Sequence, residues 1–268
     1  MAEDAATGLG RPGTGVVVTG GASGIGAAVC RALTVVGRPV AAWDLDGEAA
    51  ARLAEELHDQ HGMATHGAAL DVADDTALAD AIAPAVADLG SIGGIVHAAG
   101  IVRPALETVV DVDTWDAVLN VHLRAYAFVV NALVPELKRA GAGSAIVGIA
   151  SIEGIIGHGA IPSYTAAKTG MIGLTRAFAH RLGGVGIRVN CVCPGFVDTP
   201  MLSPAIADAA SRSTLEGSVP MGRLAAPDEI ARVVRFLLSD EASYMNGSAV
   251  VVDGGVTAAG GQASVWTD

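Results

Sequence analysis

Val16-Val17-Val18-Thr19-Gly20-Gly21-Ala22-Ser23-Gly24-Ile25-Gly26 decides how the rest of the chain reads. A short β-branched run passes into a cluster of glycines and then into an alanine-rich stretch, so the order is strand, tight turn, helix. Glycines allow a backbone to approach a pyrophosphate closely. The start of the following helix offers unpaired N–H groups and the positive end of its dipole. The same cluster could serve as a plain βα turn, but its place between a first strand and a first helix is the context a phosphate cradle requires.

Outward from this stretch the alternation continues. Strands are expected at Val16–Thr19, Val40–Asp44, Ala64–Leu70, Gly94–His97, Ser144–Ile149, Arg188–Val192 and Ala249–Val252. Helices are expected at Gly24–Val36, Glu48–His61, Asp74–Leu89, Asp113–Arg139, Ser163–Leu182 and Pro227–Leu238. Strands apolar on both faces, separated by helices, imply a parallel sheet covered on both sides. The expected fold is α/β: a single doubly wound parallel sheet of seven strands, Rossmann-type, with helices on both faces. No linker or composition break divides the chain. Residues 15–255 are expected to form one dinucleotide-binding and catalytic domain, with a flexible leader at 1–14 and a tail at 256–268. The segment Gly195–Gly222 shows no clear periodicity and reads as a loop over a site.

Composition agrees with this reading and narrows the partners. The chain has 268 residues, of which 51% are hydrophobic and 4% aromatic, with 35 glycines and a net charge of −12. Burial must rest on Val, Ile, Leu and Ala, and the glycine content suggests close backbone packing. A nucleic-acid binder normally carries a basic face, so that class is disfavoured. Cys30, Cys191 and Cys193 are too few for a disulfide framework and lack metal-ligand spacing, so no metal is expected. They read as buried free thiols of a reducing compartment. The N-terminus lacks the pattern of a signal peptide. The apolar stretch Ala140–Ile161 is too interrupted for a membrane span. A cytoplasmic protein without membrane partners is expected.

Four further positions carry chemistry. Asp44 ends the second strand, eighteen residues beyond Gly26, where a carboxylate can accept bonds from an adenosine ribose and repel a 2′-phosphate. Ser23 and Leu45 flank this place, and neither supplies a cation for such a phosphate. The reading therefore favours NAD(H) over NADP(H). Tyr164 and Lys168 stand at i and i+4 of one helix and share a face. A nearby ammonium is expected to lower the phenol's pKa towards the range of a useful base. Ser151 follows the fifth strand, where its hydroxyl could donate to a substrate oxygen or merely cap a turn. Asn120 sits inside a helical stretch, a poor place for asparagine, so the helical ladder is expected to be interrupted there.

Taken together, these residues resemble the short-chain dehydrogenases/reductases from about Thr14 to Gly255. The resemblance is carried by Thr19-Gly20-x-x-x-Gly24-Ile25-Gly26, Asp71-Val72, Ala98-Ala99-Gly100, Asn120, Ser151, Tyr164-x-x-x-Lys168 and Pro194-Gly195-x-x-x-Thr199. It implies that Asp71 and Val72 meet the adenine and that Ala98, Ala99 and Gly100 support the adenosine. It further implies that Pro194, Gly195, Val197 and Thr199 hold the nicotinamide. Asn120, Ser151, Tyr164 and Lys168 become the catalytic tetrad, with Lys168 also on the nicotinamide ribose and Asn120 positioning a water. Hydride transfer between NAD and a secondary alcohol or ketone follows from the resemblance, as does a homotetramer.

His97 departs from the family's usual asparagine and reads as a structural replacement. Glu153 could accept from a second substrate hydroxyl or be a solvated loop carboxylate. Arg103 could bind an anion or lie on the surface. Met201, Leu202, Ile206 and Leu215 could form an apolar substrate wall. Trp266 could dock on a neighbouring subunit. Two other readings stand beside the main one: a reductase of carrier-bound 3-oxoacyl chains, which usually implies NADPH, and a dinucleotide-binding sensor without chemistry.

Overall fold

The protein is described by a computed structural model covering residues 13–104 and 109–258. The expected leader falls largely outside the described residues, and Trp266 lies wholly outside them. Seven strands form one sheet: β1 (Gly15–Thr19), β2 (Val40–Asp44), β3 (Thr65–Ala69), β4 (Ile92–His97), β5 (Ala145–Ile149), β6 (Arg188–Pro194) and β7 (Ala249–Val252). Their spatial order is β3-β2-β1-β4-β5-β6-β7, and every pairing is parallel. The helices are α1 (Gly24–Thr34), α2 (Gly47–His61), α3 (Asp75–Leu89), α4 (Val112–Leu119), α5 (Ala125–Ala140), α6 (Pro162–Gly183), α7 (Ala209–Gly217) and α8 (Pro227–Leu238).

Alternation within single strands feeds two cores. Val16, Val18, Ala42, Val96 and Val147 point to one face, where they meet α1, α2 and α8. Val17, Ala41, Trp43, Ile95 and Ile146 point to the other, where α3, α5 and α6 cover them. The winding reverses between β1 and β4, so the crevice of the sheet opens beyond the carboxyl ends of these two strands. Helix starts are set locally. Asp46 accepts from the Ala49 N–H at 2.9 Å, and Asp74 accepts from the Thr76 N–H at 2.9 Å.

Three differences from the sequence reading have physical causes. β4 begins at Ile92, before Gly93 and Gly94, because Gly15 of β1 pairs with Ile92 and extends the ladder, and Gly93 leaves no room for a Cβ beside the Thr14 hydroxyl. The segment after β6 contains α7, started by Asp208, which accepts from the Ser211 N–H at 2.8 Å. None of its residues is buried, so no apolar periodicity announced it. The long helix Asp113–Arg139 is two helices joined by a π-turn over Asn120–Arg124, the interruption expected at Asn120.

Val112–Ala140 is long and apolar enough by composition to cross a membrane. Here its α5 portion is a core helix, with Tyr126, Val129, Leu133 and Leu137 fully buried against the sheet. Cys30, Cys191 and Cys193 are buried free thiols. Among the described residues no group of His, Cys, Asp and Glu is arranged to hold a metal ion.

Candidate active site

The glycine-rich turn leaves β1 at Thr19 and folds back on itself. Gly20 has φ +65°, and a Cβ there would lie 2.7 Å from the backbone of Ala99. A Cβ on Gly26 would lie 2.0 Å from the Gly20 carbonyl oxygen, so only hydrogen fits. This contact seats the first turn of α1 against the end of β1. Ser23 occupies the N-cap position without a side-chain cap bond, and the first turn carries no acidic residue. The helix start therefore keeps its unpaired N–H groups for an anion.

The other expected cofactor residues gather at the same edge of the sheet. The Asp44 carboxylate accepts from the Ala22 N–H at 3.0 Å and from the Asp46 N–H at 3.1 Å, which braces the turn and fixes the carboxylate beside it. Leu45, next to it, is 76% exposed, an uncovered apolar surface suited to a flat ring. Asp71 is exposed and accepts from the Ala73 N–H at 2.9 Å, while Val72 is buried. Ala98, Ala99 and Gly100 are half-buried beyond β4.

Thr199 comes across from the far side: its Cγ2 lies 3.4 Å from where a Gly24 Cβ would be. Pro194 and Val197 are buried. Gly195 is pressed against Asp253, whose Cα is 2.9 Å from where a Gly195 Cβ would lie. An open helix start, a glycine cradle that a Cβ would fill and a fixed carboxylate at the second strand fit a dinucleotide.

On the other side of the crevice, β5 delivers Ser151 and α6 delivers Tyr164 and Lys168. The turn Ile152–Gly154 sits directly on α6, where a Cβ on Gly154 would lie 2.8 Å from the Lys168 carbonyl carbon. That contact brings the serine to the helix. The Ser151 Oγ accepts from the Glu153 N–H at 3.1 Å. Lys168 is 4% exposed; its ammonium donates to the Ile149 carbonyl at 2.6 Å and stands 5.3 Å from the centre of the Tyr164 ring.

Burial dominates the electrostatics of this cluster. It pushes the Tyr164 phenol up to about 12, with the Ser151 hydroxyl pulling the other way and the Glu153 charge adding to the rise. Lys168 is not among the groups that pull the phenol down. The same desolvation brings Lys168 itself down to about 7, so its charge is weakened where it was expected to act.

Asn120 is not brought to this cluster. It lies on the exposed side of the π-turn, while His122, two residues on, turns inward and is fully buried. The His122 ring meets the Tyr164 ring edge-on at 5.1 Å between centroids. The Ile101 N–H donates to its Nε2 at 3.0 Å, the Ile101 carbonyl oxygen lies 2.8 Å from the same nitrogen, and its Nδ1 is buried without a partner among the described residues. Burial, followed by the Lys168 charge, holds His122 well below its usual pKa and therefore neutral. The sequence offered one signal for it, a histidine inside an apolar helix, but which side of an irregular helix faces inward is settled by packing.

His97 ties the sheet as an asparagine was expected to. Its Nε2 donates to the Val121 carbonyl at 3.2 Å, and its Nδ1 accepts from the Thr19 hydroxyl at 2.9 Å. The ring stacks on Tyr126, and burial brings its pKa down to about 3. Glu153 is buried at 8% exposure, not a solvated loop carboxylate. Arg103 is exposed. Of the expected substrate wall, Ile206 is buried, Leu202 and Leu215 are half-buried and Met201 is 44% exposed.

A doubly wound sheet with a dinucleotide cradle on one side of its crevice and Ser, Tyr and Lys on the other defines a nicotinamide-dependent oxidoreductase. The family described as enoyl-(acyl carrier protein) reductase matches residues 20–257. A cis-4-hydroxycyclohexanecarboxylate dehydrogenase of Sinomonas cyclohexanicum is 40% identical over 243 residues, covering 90% of this chain and 96% of the relative. A 3-oxoacyl-(acyl-carrier-protein) reductase of Chlamydia trachomatis is 36% identical over 240 residues, with the same coverages of 90% and 96%. A D-threitol dehydrogenase of Mycolicibacterium smegmatis is 37% identical over 241 residues, covering 90% of this chain and 92% of the relative. The chain belongs to the short-chain dehydrogenase/reductase family and is an oxidoreductase acting on CH–OH groups.

Proposed function

We propose that this protein oxidises a secondary alcohol to a ketone, or runs the reverse reaction, with NAD(H) as its cofactor. The observation that carries the reading is the convergence of Ser151, Tyr164 and Lys168 opposite the glycine cradle. The names of two relatives, a hydroxycyclohexanecarboxylate dehydrogenase and a threitol dehydrogenase, support it. The preference for NAD(H) rests on Asp44, whose fixed carboxylate suits a ribose diol and repels a 2′-phosphate.

The cofactor supplies the hydride acceptor and donor. Gly20, Ser23, Gly24, Ile25 and Gly26 would hold its pyrophosphate. Asp44 and Leu45 would take the adenosine ribose, and Asp71, Val72 and Ala98 to Gly100 the adenine side. Pro194, Gly195, Val197 and Thr199 would hold the nicotinamide. Tyr164 exchanges the proton of the substrate hydroxyl, Ser151 donates to the substrate oxygen as charge develops there, and Lys168 supports both the phenol and the nicotinamide ribose. We assign the water-positioning place beside this cluster to His122 in preference to Asn120, on the burial and orientation of the two side chains.

A single domain over residues 15–255 performs the reaction. The buried free thiols support a cytoplasmic setting. Exposed Phe128 on α5 and open space above Gly173 on α6 support pairing of these helices between copies, as a homotetramer requires. A reductase acting on carrier-bound 3-oxoacyl chains is the second reading, favoured by the Chlamydia relative's name.

The test follows NADH and NADPH formation across secondary alcohols, diols and sugars, and the consumption of both reduced cofactors with 3-oxoacyl thioesters. The Tyr164→Phe variant is run in parallel. Alcohol oxidation with NAD⁺ that disappears in Tyr164→Phe, while NADH still binds, supports the proposal. More than a few per cent residual activity in the variant overturns the assignment of the acid/base. Turnover confined to thioesters selects the second reading.

A further inference from the structure

Glu153 is the one feature of the substrate side that the chemistry above leaves unexplained. Its residue is 8% exposed, and its Oε2 is fully buried with no hydrogen-bond partner among the described residues. A desolvated carboxylate oxygen without a donor is unfavourable. Its backbone N–H donates to the Ser151 hydroxyl, and its charge is felt by the Tyr164 phenol, so it stands at the reacting end of the crevice. His158 is exposed and does not bond to it; the His158 Nδ1 accepts from the Ala160 N–H at 3.2 Å. Ile155 and Ile156, which follow, are about half exposed and give the same wall an apolar rim.

We propose that Glu153 determines specificity by accepting a hydrogen bond from a second hydroxyl group of the substrate, so that diols and polyols are preferred over simple alcohols. This rests on the proposed alcohol oxidation. The geometry behind it is a nearly buried carboxylate with no hydrogen-bond donor among the described residues, two residues from the serine that holds the reacting oxygen. A carboxylate accepts and does not donate, so it rewards a hydroxyl and penalises a carbonyl, an ether or a bare methylene at that position. A site built to hydrogen-bond a hydroxyl rejects an analogue lacking it more strongly than an apolar pocket rejects an added one, because the buried acceptor is then left unpaired.

The experiment pairs alcohols of equal carbon count, 2,3-butanediol with 2-butanol and cis-1,2-cyclohexanediol with cyclohexanol, in wild type, Glu153→Gln, Glu153→Ala and Tyr164→Phe. In the wild type the diol should exceed the simple alcohol roughly 10- to 100-fold in kcat/KM, the range of one hydrogen bond to a charged group. Glu153→Ala should bring that ratio close to one, with the change falling mainly on KM for the diol, and Glu153→Gln should lie between them.

A second readout needs no turnover. Relieving an unpaired buried carboxylate should raise the melting temperature of Glu153→Gln by about 2–4 °C. A wild-type ratio near one, or a ratio unchanged in Glu153→Ala, overturns the inference while Tyr164-dependent oxidation leaves the proposed function standing. An unchanged or lower melting temperature in Glu153→Gln also overturns it, since the carboxylate would then have a structural partner. Absence of Tyr164-dependent oxidation of every alcohol removes the proposed function, and the inference falls with it.

Discussion

Lys168 is buried with a single strong acceptor, the Ile149 carbonyl at 2.6 Å, and burial holds its pKa at about 7 in place of 10.5. Replacing it with methionine removes a desolvated charge, and the consequence is readable in the pH dependence of stability. Between pH 7 and pH 10.5 the unfolded chain keeps the lysine proton that the folded protein has lost, so the wild type gains stability as pH rises through this window. Below pH 7 the full penalty of the buried ammonium applies. From pH 7, where the folded group is half protonated, to pH 9, the gain is about 2 kcal/mol as an order of magnitude.

The window must stop at pH 9. Cys30 is raised by burial to about 12 from 9.0 and Tyr164 to about 12 from 10.0, so both subtract stability above those ordinary values. The assay is urea unfolding at pH 7 and pH 9 at one protein concentration, wild type beside Lys168→Met. The difference between the two slopes matters more than absolute stability, because the variant also leaves the Ile149 carbonyl without its donor. The wild type should gain about 2 kcal/mol more than the variant across this window. Equal gains would mean that Lys168 titrates at its ordinary pKa, and the argument from desolvation would be wrong.

Two other perturbations follow from the same geometry. His97 is fully buried and neutral, with its folded pKa lowered to about 3, so it favours folding above pH 6.5 and that contribution declines as pH falls below it, by about 1.4 kcal/mol per pH unit at most. Melting curves from pH 7 to pH 5 should therefore fall less steeply for His97→Asn, and parallel curves would refute the assignment of the acid sensitivity. Asp44→Asn keeps an acceptor for the Ala22 N–H but removes the charge. It should lower kcat/KM for NAD⁺ about 10-fold and narrow the margin over NADP⁺. If both cofactors are unaffected, the carboxylate braces the turn and does nothing more.

The architecture was legible because it is written in local terms. β-branched runs, Ala-rich stretches and the glycines after β1 specify strand, helix and turn within a few residues, and all seven strands fall where periodicity put them, to within two residues. The i, i+4 spacing of Tyr164 and Lys168 holds on α6 because a helix guarantees it. α7 was not legible, since it buries nothing and rests on an Asp208 cap. Asn120 was correctly read as a disturbance in its helix. The π-turn then rotates the sequence so that Asn120 faces outward and His122 faces Tyr164, a result that no spacing rule carries.

The sequence by itself determined the order of elements, the glycine-rich turn after β1 and which residue types meet at the crevice. The tertiary structure alone decided their electrostatic states. Burial set Lys168 near 7, lifted Tyr164 to about 12, kept His97 neutral and left one carboxylate oxygen of Glu153 without a donor among the described residues. Desolvation depends on every neighbour within several ångströms, and those neighbours come from β4, β5, α6 and the π-turn, segments far apart in the chain. A one-dimensional pattern specifies which groups are present, whereas the charge each group carries depends on how completely the fold removes it from water.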